Sequence, residues 1–424
     1  MFEVQNKTVT ILGARRSGFA LAKLVQRLGG TPKLSDTATR ERMDPECLSW
    51  VDHHQVPLEL GGHTEDFIYA ADVLVLSPGV SVASPLVQGA RTKGLPVLGE
   101  IEFAAQFSKA PLVAVTGSNG KTTVSTLIAR VLEAAGKKVR LCGNVGQPFS
   151  DYVGSATDPD YYVLEVSSFQ MESLLPKNQH GPFRGFSPQV AVLLNFNENH
   201  LDRHKDLDDY FSAKVKIFQN QTAEDTAVLN EDQERCRALG KMLAAKIVFF
   251  SGREKNPNHE AVRAVARALG IPAKIPEAVF ADFTGVEHRL EWVRTIDGID
   301  FINDSKATTA EAGRWALQQI DRPVLMICGG RDKNIDFSVL RTLVGQKVKK
   351  IFAIGEARAK IQNTFGDVVP VESCEELGEA VFRAREEAAA GDCVVLTPMC
   401  ASFDMFRDFE DRGRTFKNIV ENLT

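Results

Sequence analysis

The sequence predicts an α/β protein of three domains: a Rossmann-like N-terminal domain, a central P-loop ATPase-like domain on a parallel sheet, and a C-terminal Rossmann-like domain. Three observations predict it. At 424 residues the chain is too long for one ordinary core. Short apolar runs alternate with helix-like segments along most of its length, the pattern of parallel strands covered by helices. Several of those runs end in glycine-rich or polar turns, where α/β sheets build their sites.

The elements follow in order. "KTVTILGARRSGFALAKLVQRLGG" reads as strand, glycine turn and amphipathic helix, with glycines at the helix end. "TPKLSD" is a second strand ending at Asp36, and "ADVLVLSPGV" a third that ends in a turn. "TKGLPVLGEIEFAAQFSKAP" is expected to be a hinge into the next unit. That unit holds "PLVAVTGSNGKTT", then the strands of "YYVLEVSSFQ" and "VAVLLNFNENH". The pattern restarts near "ADFTGVEHRLEWV". The last unit carries the apolar runs of "DGIDFINDSKATT", "PVLMICGGRDKNIDF", "VKKIFAIGEAR" and "DCVVLTPMCASFDMFRDFEDRG". The expected boundaries are 1–99, 100–286 and 287–424.

Composition removes several classes of function. Hydrophobic residues make up 44% and charged residues 25%, an ordinary globular balance. A net charge of -5 implies no general affinity for nucleic acid. The seven cysteines form no C-x-x-C pair, which suits reduced thiols rather than a disulfide framework or a zinc site. The start, "MFEVQNKTVTILG", does not read as a signal peptide, and no run approaches the roughly 20 apolar residues that span a bilayer. A cytoplasmic protein without membrane insertion is expected.

"TGSNGKTT" after an apolar run is the strongest local signal. The backbone N–H groups of such a loop and of the following helix N-terminus bind phosphate oxygens. Lys121 would reach the outer phosphates and the Thr122 hydroxyl would ligate Mg²⁺. The spacing is shorter than the usual G-x-x-x-x-G-K-[ST], because Val115 stands where the first glycine would be. The bland alternative is a glycine turn with a chance lysine. Glu165 ends an apolar strand where a second acidic metal ligand belongs beside such a loop. Asn199, His200, Asp202 and His204 follow another buried strand. "GARRSG" resembles a dinucleotide fingerprint with Arg15 in place of the middle glycine, and Asp36 stands where an acidic residue reads a ribose; a plain tight turn is an even alternative. Asp304, Lys306, Lys333 and Asp336 follow apolar runs, a recurrence that suits anion handling. Lys214 alone reads as a solvated helix lysine.

Together these strings resemble the Mur ligase superfamily of ATP-dependent amide-forming enzymes in peptidoglycan synthesis. The resemblance runs from "GARRSG" through "TGSNGKTT", "GNVG", "LEVSSFQME", "NENHLDRH" and "SAKVKIF" to "NDSKATT", "GGRDK" and "CASFDMFRDFEDRG". The last three are particular to its D-glutamate-adding branch. The resemblance implies that ATP phosphorylates the carboxylate of UDP-N-acetylmuramoyl-L-alanine and that the amino group of D-glutamate displaces the phosphate. It implies a nucleotide site at Gly117, Ser118, Asn119, Gly120, Lys121, Thr122, Thr123, Arg289 and Asp304. It further implies two Mg²⁺ ions at Thr122, Glu165, His200 and Lys214, with Lys214 carbamylated. By the same resemblance, Lys121, Asn144, Glu165, His200 and Lys214 form the catalytic set. The amino-acid pocket falls at Thr308, Lys333, Ser402 and Phe409. The UDP-substrate positions are Ser17, Asp36, Thr37, Ser77, Gly79, Asn144 and Ser167.

Small-molecule substrates and a monomer are implied. Departures are Arg15 and the stretch after "KIVFFSGREKNPNHEAV", where family members carry extra strands before an asparagine near the adenine. Asn256, Asn258 and His259 are the substitutes on offer. The alternatives are a sister ligase using L-glutamate or another amino acid, and a P-loop switch that hydrolyses nucleotide without ligation.

Overall fold

The computed structural model describes residues 3–155, 157–176, 179, 181–197, 203–253, 255–283, 285–332 and 335–423. The chain divides into two compact units, Met1–Phe283 and Thr284–Thr424.

The first unit contains two wholly parallel sheets. One comprises β1 (Thr8–Leu12), β2 (Thr31–Asp36), β3 (Leu58–Leu60), β4 (Val73–Leu76) and β5 (Val97–Gly99), in the order β3-β2-β1-β4-β5. The other comprises β6 (Leu112–Thr116), β7 (Val139–Gly143), β8 (Tyr161–Glu165), β9 (Val190–Leu193), β10 (Thr226–Asn230) and β11 (Lys246–Phe250). Its order is β11-β10-β9-β6-β8-β7. The second unit holds β12 (Glu291–Ile296), β13 (Ile299–Asn303), β14 (Val324–Gly329), β15 (Val348–Ile354), β16 (Val371–Ser373) and β17 (Cys393–Leu396). These run in the order β12-β13-β17-β14-β15-β16, parallel except for the antiparallel pair β12 and β13.

Near-continuous apolar strands follow from burial on both faces. Every residue of β4, β6, β9, β10, β14 and β17 is buried. The helix Lys121–Ala134 lays Val124, Leu127, Ile128, Val131 and Leu132 on Val113, Val115 and Val192 of the central sheet. Each such side chain contributes about 1.5–3 kcal/mol by leaving water.

The stretch expected to be a hinge is more than a connection. It supplies β5, paired with β4, and the helix Glu100–Ala105, whose six residues are all buried. Ile101, Phe103 and Ala104 belong to a core that also takes in β1, β2 and strands of the central sheet, so apolar burial outweighs the two carboxylates in the helix. The Glu100 carboxylate accepts from the backbone and hydroxyl of Ser150 at 2.9 and 2.8 Å. Glu102 accepts from Leu175 N–H at 3.2 Å, and burial pushes its pKa up to about 8.

All seven cysteines are free and buried. Burial holds every one of their thiols above the usual range. Among the described residues no helix is long and apolar enough to cross a membrane.

Candidate active site

Each sheet reverses its winding at one place, and crevices form outside the carboxyl ends of the strands there. In the first sheet the reversal lies between β1 and β4. Gly13 to Ser17 follow β1, and Ser77 and Gly79 follow β4. The Gly13 backbone is left-handed at φ +85°, and a Cβ on Gly18 would lie 1.8 Å from the Gly13 carbonyl. Only glycine fits at Gly18. Ser77 Oγ donates to that same carbonyl at 2.7 Å. Both Asp36 oxygens accept main-chain N–H bonds, from Ala14 at 2.7 Å and Ala38 at 2.8 Å. Its carboxylate therefore shapes the turn. Ser17 is half-buried and Thr37 exposed. Arg16 donates to the Gly146 carbonyl, while Arg15 stands exposed at the start of the helix Arg16–Arg27.

In the central sheet the reversal lies at β6, flanked by β8 and β9. Gly117, Ser118, Asn119 and Gly120 bridge β6 to the helix that opens with Lys121, Thr122 and Thr123. Gly120 is left-handed at φ +80°, and a Cβ there would meet Asn258 Oδ1 at 2.6 Å. Residues after β9 hold the loop from outside. Asn195 Oδ1 accepts from Asn119 N–H at 2.9 Å, and Ser118 Oγ donates to the Asn197 carbonyl at 2.9 Å. Tyr210 O–H lies 3.3 Å from Ser118 Oγ.

Lys121 Nζ donates to the carbonyls of Gly117 and Ser118 at 2.9 and 3.0 Å. Lys214 Nζ donates to the same Gly117 carbonyl at 3.0 Å. Lys214 is 1% exposed, with its Nζ 4.5 Å from the centre of the Tyr210 ring. Burial, reinforced by the charge of Lys121, lowers its pKa to about 6. The solvated helix lysine expected from local sequence is thus a buried amine beside the loop.

Glu165 closes β8 and is 2% exposed. Asn144 Nδ2 donates to its Oε1 at 2.8 Å, while its Oε2 is buried with no hydrogen-bond partner among the described residues. Such an oxygen is costly unless a cation or donor meets it. The donor set therefore fits a hard cation, with Thr122 buried at the start of the helix. Ser167 caps the helix Ser168–Glu172 through a reciprocal pair with Gln170. His204 is buried, its Nδ1 3.2 Å from Asp209. Asn199, His200, Asp202 and Lys333 lie outside the described residues.

In the second unit the reversal falls between β14 and β17. Asp304 follows β13 and accepts from Leu290 N–H at 3.1 Å and Thr397 O–H at 3.2 Å. Burial raises its pKa to about 7 against the opposing charge of Arg289, whose Nε is buried without a partner among the described residues. Ser402 is buried, and Thr308 and Phe409 are half-buried. Lys306 Nζ sits 5.5 Å over the Phe409 ring, and Asp336 caps the next turn through Ser338 N–H.

Sequence reasoning passed over Asn195, Asn197 and Tyr210, although "LLNFN" places the two asparagines directly after a buried strand. It also passed over Arg203, which pairs with Glu172 at 2.8 Å and reaches the Gly79 carbonyl at 3.3 Å.

Three crevices of this kind, one with a phosphate loop, define a nucleotide-using α/β enzyme, and the chain belongs to the Mur ligase family. It matches the MurD-like N-terminal domain over residues 7–99, the Mur ligase middle domain over 115–272 and the Mur ligase glutamate ligase domain over 288–400. Curated relatives place it more narrowly. It is 37% identical to the UDP-N-acetylmuramoylalanine–D-glutamate ligase of Chloroherpeton thalassium, over 99% of both chains. The proteins of that name from Koribacter versatilis and Salinibacter ruber are 35% and 36% identical, over 99% of this chain and 98% and 99% of theirs. The alignment to the Chloroherpeton protein runs over 475 positions against 424 residues here, so that relative carries segments with no counterpart in this chain. Among solved structures, the UDP-N-acetylmuramate–alanine ligase of Thermotoga maritima shares the fold at a TM-score of 0.59 and 18% identity, covering 98% of this chain and 99% of its own. The MurF ligase of the same organism, solved with ADP, does so at 0.58 and 15%, covering 98% and 95%.

Proposed function

We propose that this protein ligates D-glutamate to UDP-N-acetylmuramoyl-L-alanine at the expense of ATP, a step of peptidoglycan precursor synthesis. The observation that carries the reading is full-length identity of 35–37% to curated ligases of that name. The site chemistry agrees with it. The loop from Gly117 to Thr123 offers backbone donors to the phosphates. Lys121 leaves the Gly117 and Ser118 carbonyls to meet the transferred phosphoryl group, whose developing charge is what such a site stabilises. A substrate carboxylate oxygen attacks the outer phosphorus and ADP departs. The glutamate nitrogen, freed of one ammonium proton, then attacks the acyl carbon and the C–O bond to phosphate breaks. Of the three ammonium protons one stays on the amide nitrogen, one ends on the departing phosphate and one passes to solvent.

Thr122, Glu165, His200 and a carbamylated Lys214 would hold two Mg²⁺ ions, which supply positive charge around the migrating group. The bare Glu165 Oε2 supports that assignment, with Asn144 orienting the other oxygen. A carbamate on Lys214 turns a buried neutral amine beside Lys121 into an anionic ligand. Arg289 and Asp304 are assigned to the nucleotide, and Thr308, Lys333, Ser402 and Phe409 to the amino acid. Ser17, Asp36, Thr37, Ser77, Gly79, Asn144 and Ser167 are assigned to the UDP-substrate, with Asp36 acting through its turn. Domains 1–99, 100–286 and 287–424 serve UDP-substrate, ATP and amino acid respectively. For the base of ATP, Asn258 is preferred over Asn256 and His259, because its side chain abuts Gly120.

The test is phosphate release from ATP with UDP-N-acetylmuramoyl-L-alanine and a panel of amino acids. Release confined to D-glutamate is expected. Equal release without any amino acid, or preference for L-glutamate or another amino acid, overturns the reading.

A further inference from the structure

Arg412, in the helix Phe409–Glu421, is fully buried and has no part in the chemistry above. Its Nε donates to Ser305 Oγ at 3.0 Å and its Nη2 to the Ser305 carbonyl at 2.9 Å. Both Nη atoms reach the Cys400 carbonyl at 3.2 Å. Ser305 Oγ, while accepting from Arg412, donates to the Phe409 carbonyl at 2.8 Å. One guanidinium and one hydroxyl thus join the Ser305 segment to the Cys400 and Phe409 segments, across 107 residues between Ser305 and Arg412.

The acceptors are all neutral oxygens. Burial brings the Arg412 pKa down only to about 10, so the group stays charged at neutral pH. A cation buried on such terms is expensive, and well-packed apolar residues of similar volume often stabilise a fold as well or better. Its segments share one property instead. Ser305 follows Asp304 and precedes Thr308, Cys400 lies two residues before Ser402, and Phe409 opens the helix. The Cys400 segment also needs holding. Met399 is left-handed at φ +58°, a costly conformation for a side-chain-bearing residue. Its N–H donates to the Ala307 carbonyl at 2.7 Å. On its other side Gly330 packs so closely that a Cβ would lie 2.3 Å from the Ala401 carbonyl and 3.3 Å from Arg412 Nη1.

We propose that Ser305 and Arg412 are positioning residues for the amino-acid substrate, the hydroxyl and guanidinium together fixing the Phe409 carbonyl and the Cys400–Ser402 turn. The inference rests on reading Thr308, Ser402 and Phe409 as the amino-acid pocket. Ser305→Ala deletes the atom that both Arg412 and Phe409 use and leaves the guanidinium three of its four bonds. Loss of a hydrogen-bonded tie of this kind is worth about tenfold in affinity.

Steady-state kinetics on full-length Ser305→Ala, Ser305→Thr, Arg412→Lys and Ser402→Ala, with all three substrates varied, test it. Expected is a KM for D-glutamate raised about tenfold in Ser305→Ala and Arg412→Lys, with the KM values for ATP and UDP-substrate within about twofold. Ser305→Thr, which keeps the hydroxyl, should recover most of the loss. A raised glutamate KM in Ser402→Ala alone overturns the inference and leaves the pocket reading standing. A silent Ser402→Ala overturns the pocket reading and the inference with it. All three KM values rising in parallel with a lowered melting temperature would mean a purely structural role, and would also overturn it.

Discussion

Carbamylation requires a neutral amine, and the surroundings of Lys214 supply one. An ordinary lysine with a pKa near 10.4 is neutral about one part in a thousand at pH 7.4. Lys214, lowered to about 6 by burial and by Lys121, is neutral in the great majority of molecules at that pH. The gain in reactive amine is therefore on the order of a thousandfold. The pH window follows from the sign of the shift. The folded pKa lies below the unfolded one, so in the folded protein the neutral form is essentially complete above about pH 8, persists through neutrality and is lost as pH falls through about 6. Incubation with ¹³C-bicarbonate should give a carbamate carbon resonance at pH 8 that fades below pH 6 and is absent in Lys214→Ala. Lys214→Ala should lose most of its activity and regain part of it with acetate, a small carboxylate able to enter the vacated space. No carbamate signal at saturating bicarbonate and pH 8, together with full activity of Lys214→Ala, would refute the reasoning.

Lys121→Ala should lower turnover by two orders of magnitude or more while leaving the circular dichroism spectrum unchanged, since a charge contact at a developing phosphoryl charge is worth about 3 kcal/mol; near-normal phosphate release sinks the assignment. Gly120→Ala places a Cβ at φ +80° and 2.6 Å from Asn258 Oδ1, and should raise the KM for ATP at least tenfold and cost about 1–2 kcal/mol of stability. Isothermal titration with an ATP analogue checks it, and unchanged affinity counts against the loop as a close-fitting phosphate cradle. Asp304 has a folded pKa raised to about 7, so the folded state binds the extra proton between about pH 4 and 7 and stability falls as pH rises through that window. Asp304→Asn should flatten that fall in thermal melts of the ligand-free protein; identical pH slopes in the two proteins would contradict it.

Most of the architecture could be read from local sequence because parallel strands are short, apolar and punctuated. "PLVAV" before "TGSNGKTT" marks β6 and its loop without reference to anything else in the chain. The hairpin of β12 and β13 was equally available. Asp297 and Gly298 are both left-handed, the pair that tight hairpins favour, but β12 is half-exposed and its apolar signal too thin to stand out. The buried helix Glu100–Ala105 reads from sequence as a hinge, since nothing local shows that Ser150 and Leu175 meet its two glutamates. At the candidate site, chain-local features such as the loop glycines and Glu165 at a strand end were legible. Lys214 was not legible from the physics of its own helix, because its amine is buried against Gly117, 97 residues earlier. Ser305 and Arg412 show the same limit, meeting across 107 residues.

The buried thiols make the protein its own reporter of transient opening. A protonated thiol shielded from solvent does not react, so a disulfide reagent can modify a given cysteine only during excursions that expose it. Cys47, Cys142 and Cys236 fall in the first unit and Cys328, Cys374, Cys393 and Cys400 in the second. Labelling followed by peptide mapping would therefore time the breathing of each unit separately, with no cysteine introduced. Cys400, held through its carbonyl by Arg412, would register the moments at which that turn lets go.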